Sequence, residues 1–159
     1  VSQDELPANP EATVVDVHSL YRIALGHTER GAALRESVRQ GTLRLVVPTL
    51  AFGVACAMRT CWDEECDQGH PPGTGPALRR FLDGHGVEAA ELTADQQVAA
   101  AQLYAVCTDR RVTGAEVLAA CHSVVVAEAR RMPLVSAARA SYCYLRLPEH
   151  RPGRPTSLI

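Results

Sequence analysis

The chain predicts an α/β fold, a mostly parallel central sheet with helices on both faces. Three observations carry that expectation. Short strand-like runs recur at 12–17, 43–47, 87–90 and 132–136, the first of them rich in β-branched residues, and alternate with helical segments. The second run, 43–47, shows almost no polar alternation, which suits a strand covered by helices on either side. Helix-start cues precede two of the long segments. Strands alternating with helices imply parallel pairing with right-handed crossovers rather than a repeat array.

Length and composition agree. At 159 residues and 47% hydrophobic content the chain forms one domain with a continuous core. The division expected is a flexible segment over 1–11 and a single domain over 12–159. No run reaches the roughly 18 apolar residues of a membrane span, and residues 1–10 are polar and acidic, unlike a signal peptide. A cytoplasmic protein is therefore expected. All 16 basic side chains are Arg, and the net charge of −2 with pI near 6.3 argues against a broad nucleic-acid-wrapping face. A local Arg cluster could still hold phosphates; pairs at 79–80, 110–111 and 130–131 lie at expected helix ends, where cations also complement the helix dipole.

Taken in order, residues 1–10 hold two prolines and no apolar period, so they form a lead-in. The first strand, 12–17, delivers Asp16 to its C-terminal end. Ligands of open α/β sheets sit outside that end, so Asp16 is placed to hold a cation or polarise a substrate; capping the helix of 19–25 is the alternative role. A second helix, 29–39, puts Ala33, Leu34 and Val38 on one side, and Gly41 ends it. After the strand at 43–47, Pro48 opens a helix over 49–59 so apolar that burial over most of its circumference is expected. The acidic, Pro-Gly-rich stretch 61–75 reads as a surface loop. A short helix (77–82) and the strand 87–90 follow. Thr93-Ala94-Asp95-Gln96 is a capping box before a helix reaching about 107, and Thr113-Gly114-Ala115-Glu116 repeats the cue before a helix to 131. A strand at 132–136, a short helix at 138–145 and a last strand at 156–159 complete the series.

Six cysteines in a cytosolic setting are expected to stay reduced and to pack as small hydrophobes, without local signs of activation. The series Cys56, Cys61, Cys66, His70 has zinc-type donors, but its spacing departs from the usual pair of Cys pairs. A packed Cys56 beside two loop thiols is the simpler reading. Neither a phosphate-binding P-loop nor a serine-hydrolase elbow is present.

Four pieces in this order resemble the PIN domain, the fold of toxin ribonucleases of bacterial toxin–antitoxin pairs and of RNA-processing nucleases. Val14-Val15-Asp16-Val17-His18-Ser19-Leu20 is similar to the family's first strand and its Asp-Thr-His or Asp-Thr-Ser turn. Leu45-Val46-Val47-Pro48-Thr49-Leu50 resembles the second strand and helix start, and 87–92 with the Thr93 helix the third pair. Residues 115–136, with Pro133-Leu134-Val135-Ser136 in place of Pro-Leu-Val-Thr, resemble the helix and strand that supply the remaining acids. The resemblance covers most of 12–145 and implies a three-layer fold, a homodimer, an RNA target and a protein partner of antitoxin type.

It also implies Mg²⁺ or Mn²⁺ held by three or four converging carboxylates that activate water for phosphodiester hydrolysis. Here the acid cluster is mostly missing. Asp16 matches the first acid, but Val54, Ala120 and Ala138 fall where the others belong. Glu116, one turn before Ala120, is the candidate replacement, with helix capping as its other role. Candidate catalytic residues are thus Asp16, Glu116 and Ser136, with Asp16 and Glu116 as metal ligands; His18, Ser19 and His122 are candidate binding residues, the histidines having near-neutral pKa values or else simply structural places. The expectation is a binding or interaction protein with weak or no nuclease activity. The alternative is a metal-dependent endoribonuclease of toxin type that recruits a further acid such as Asp95 or Glu91.

Overall fold

Val14 and Val46 pack toward one helix layer while Val15, Leu45 and Val47 pack toward another, the two-residue alternation of strands buried on both sides. In the computed structural model, which describes residues 10–58, 74–107 and 114–159, the elements run β1 (Glu11–Val15), α1 (Val17–Leu25), α2 (Glu29–Arg39), β2 (Leu43–Pro48), α3 (Thr49–Ala57), α4 (Thr74–Leu82), β3 (Val87–Ala90), α5 (Ala94–Cys107), α6 (Gly114–Arg130), β4 (Leu134–Ser136), a 3₁₀ segment (Ala138–Tyr144) and β5 (Ser157–Leu158). Every strand pairing is parallel, in the order β3-β2-β1-β4-β5. Val14 is in register with Val46 on one side and Leu134 on the other, so β1 is the central strand.

One layer is α5, α6 and the 3₁₀ segment, packed over Val14, Val46, Ala90 and Leu134. The opposite layer is built from α1, α3 and α4, with Val38 of α2, over Val15, Leu43, Leu45 and Val47. The expected three-layer α/β architecture is therefore the observed one. Among the described residues no helix is long and apolar enough to cross a membrane.

Local chemistry sets the boundaries. The Thr93 capping box is complete: Gln96 N–H donates to Thr93 Oγ1 across 3.2 Å and Thr93 N–H to Gln96 Oε1 across 3.0 Å. Its counterpart at Thr113 lies outside the described residues. Pro133, which lacks an N–H, precedes β4 rather than joining it, but its carbonyl accepts from Val14 N–H (2.9 Å) and Thr13 Oγ1 (3.0 Å). Glu11, expected in the lead-in, pairs with Leu43 as the first residue of β1.

One expectation is corrected. The helix after β2 is not buried over most of its circumference: only Ala51 and Ala55 are fully buried, while Leu50, Phe52, Val54 and Cys56 are partly covered. Its apolar composition exceeds what a single packed stripe requires. The short helix expected after β4 is present as a 3₁₀ helix, whose tighter winding turns Cys143 and Tyr144 into the core beside α6.

Candidate functional site

β1 ends at Val15, one residue before Asp16, which takes an extended backbone (φ −97°, ψ −172°) and caps α1. Ser19 N–H donates to Asp16 Oδ1 at 2.9 Å and Asp16 N–H donates to Ser19 Oγ at 2.9 Å, so the two residues form a reciprocal capping box. Of the two roles open to Asp16, the structure shows the cap. Ser19 Oγ lies 2.9 Å from Oδ1 and 2.8 Å from the Val135 carbonyl, and its single proton serves one of them at a time.

The other carboxylate oxygen is also engaged. Tyr144 O–H donates to Oδ2 at 2.7 Å, and Ser136 Oγ donates to the same atom. Asp16 is 2% exposed, and Ser19, Ser136 and Tyr144 are buried with it. A carboxylate removed from water is costly unless donors replace the lost hydration. Here α1, β4 and the 3₁₀ segment supply them, and three elements meet on one side chain. Burial, then the adjacent Asp16 charge, pushes the Tyr144 phenol well above its usual range, so it stays a proton donor.

The remaining candidates make none of the hydrogen bonds described for Asp16. Ser123 Oγ on α6 approaches the Val15 carbonyl at 3.4 Å and donates to Ala119 O at 3.0 Å, which marks where α6 meets the end of β1. Glu116 is seven residues earlier, about 10 Å along the helix axis from Ser123 at 1.5 Å per residue. It is 8% exposed in the first turn of α6, and the hydrogen bonds of Asp16 come from Ser19, Ser136 and Tyr144 instead. Ala120, at the expected third-acid position, is buried among apolar neighbours, and Val54 is partly buried beside the α1 layer. His18 Nε2 and His122 Nδ1 are buried atoms without a hydrogen-bond partner. Burial holds the His122 pKa below its ordinary value.

A divalent ion does not fit this arrangement as it stands. Mg²⁺ or Mn²⁺ requires lone pairs directed at a common point, whereas both Asp16 oxygens already accept protein donors. Among the described residues, no group of three or more His, Cys, Asp or Glu side chains is arranged to hold a metal. Cys56 is partly buried on α3, and Cys61, Cys66 and His70 lie outside the described residues. Arg79 pairs with Asp83 at 2.9 Å and Arg130 with Glu88 at 2.7 Å, while 110 and 111 are outside the described residues.

Sequence reasoning found Asp16, Ser19 and Ser136 but not Tyr144. The available signal was weak: a tyrosine shortly after the strand that ends in Ser136, with a hydroxyl that must find a partner once buried. Neither the scan against protein-family models nor the search of curated proteins finds a match to this chain.

Proposed function

We propose that this chain is a PIN-like domain that works as a binding or interaction module, cytoplasmic and homodimeric, with weak or no nuclease activity of its own. The observation that supports this reading is the engagement of Asp16: its two oxygens accept from Ser19, Ser136 and Tyr144 in a buried setting. A carboxylate used this way fixes three elements together, and an ion would have to displace protein donors to take both of its oxygens.

The test is incubation of the purified chain with structured and unstructured RNA in the presence of Mn²⁺, beside Asp16→Ala and Tyr144→Phe. Cleavage by neither wild type nor variants is expected. Cleavage by the wild type that disappears in Asp16→Ala would instead establish the metal-dependent endoribonuclease.

A further inference from the structure

All three exposed large hydrophobic side chains among the described residues belong to the layer of α5, α6 and the 3₁₀ segment: Val98 (59% exposed) and Val106 (49%) on α5, and Leu145 (52%) where the 3₁₀ segment ends. Among the described residues the opposite layer presents none. α5 is apolar on both sides. Ala100, Leu103 and Cys107 are buried, whereas Ala94, Val98, Ala101, Gln102, Ala105 and Val106 are exposed, and Asp95 is the one charged residue of the helix. A helix apolar all round is ordinarily covered all round. The outer side of α5 therefore has the composition of a contact surface.

The order of its residues identifies the partner. Val98, Gln102 and Val106 stand at i, i+4 and i+8, one row along a single helix face. Ala99 and Ala105 stand three residues before and after Gln102. The row reads the same in both directions, which is the condition for a two-fold contact with an antiparallel copy of itself. Turned about an axis at Gln102, Val98 meets the partner's Val106 and Ala99 meets the partner's Ala105. The two Gln102 amides, each both donor and acceptor, meet one another. Asp95 falls opposite position 109, beyond Cys107 of the facing helix, so its charge is not set against the apolar row. Antiparallel helices also bring opposite dipole ends side by side.

From this symmetry we propose that the exposed side of α5 is a homodimer seam, on which a second copy of the chain packs its own α5 antiparallel about a two-fold axis at Gln102. The inference rests on the homodimeric part of the reading proposed above and names the surface that carries it. A helix of 14 residues is about 21 Å long. One such helix pair covers less than the roughly 800 Å² per partner of a standard interface. Association is therefore reversible and concentration-dependent.

Sedimentation equilibrium of the full chain, from micromolar to millimolar concentration under reducing conditions, tests this. The average mass is expected to climb from 17.1 kDa toward twice that value. Val98→Glu and Val106→Arg each set a charge against an apolar side chain and weaken dimerisation by about tenfold or more. Combined in one chain, Val98→Glu/Val106→Arg sets opposite charges against each other on both halves of the seam and restores the dimer; in a parallel pairing like charges would meet and the dimer would stay lost. Thermal midpoints like that of the wild type, together with restoration by the double variant, exclude misfolding as the cause of the loss. A wild type that stays monomeric throughout overturns this proposal and the homodimeric reading together, leaving the face to a different chain. A wild-type dimer indifferent to both single substitutions, or losses that the double variant does not restore, overturns the α5 seam and leaves the homodimeric reading standing.

Discussion

Tyr144 and Asp16, 128 residues apart, meet through a 2.7 Å hydrogen bond from the phenol to Oδ2. Deleting the hydroxyl in Tyr144→Phe leaves the ring packed and removes one donor from a buried carboxylate. The expected loss is about 1.5–3 kcal/mol, the range for hydrogen bonds to charged groups. Asp16→Ala should cost more, about 3 kcal/mol, because it removes the α1 cap and strands two buried hydroxyl donors. Urea unfolding midpoints at constant m-value decide; equal stability of Tyr144→Phe and wild type would show that the contact contributes nothing.

Gly31 and Gly53 should respond oppositely to alanine. A Cβ on Gly31 would sit 2.5 Å from the Arg22 carbonyl oxygen, where α2 begins against the end of α1, so Gly31→Ala is expected to destabilise by about 1–3 kcal/mol. A Cβ on Gly53 meets nothing within 4 Å on the exposed side of α3, and Gly53→Ala should stabilise by about 0.5–1 kcal/mol. Thermal unfolding of the two variants checks both signs at once.

Arg131 closes α6 in the left-handed region at φ 53°, a conformation that disfavours any side chain with a Cβ. Its N–H reaches Glu128 O at 3.2 Å, and Met132 N–H reaches Ala127 O at 3.0 Å, the hydrogen-bonded helix end usually built on glycine. Arg131→Gly should therefore raise stability by about 1 kcal/mol. An unchanged or lowered midpoint in chemical denaturation would contradict this.

His122 is buried with Nδ1 unpartnered, and its pKa is depressed in the folded protein. The unfolded chain therefore binds a proton near pH 6.5 that the folded chain refuses, so stability is retained above that pH and falls as pH drops through it. Unfolding free energy measured between pH 5 and pH 8 should show this acid-side loss. His122→Asn should flatten it; an unchanged slope would place the titration elsewhere.

Legibility in the sequence divides along distance in the chain. The helix of 29–39, the strand at Val87–Ala90 and the Thr93–Gln96 box are local patterns, and the structure has each of them. The burial of α3 was misjudged because composition states how apolar a helix is but not which stripe its neighbours cover. Asp16 was legible as the key carboxylate, whereas the donors to its second oxygen are Tyr144 and Ser136, each more than a hundred residues away.

The central place of β1 has a consequence for assembly during synthesis. Its neighbour β2 begins at residue 43, but its other neighbour β4 begins only at residue 134. While the intervening chain is being made, a strand destined for the middle of the sheet is an open edge with unpaired backbone groups, the feature that invites intermolecular pairing. Asp16, too, keeps its water until residues 136 and 144 emerge. The residues that close the centre of the sheet are thus synthesised after β1, β2 and β3.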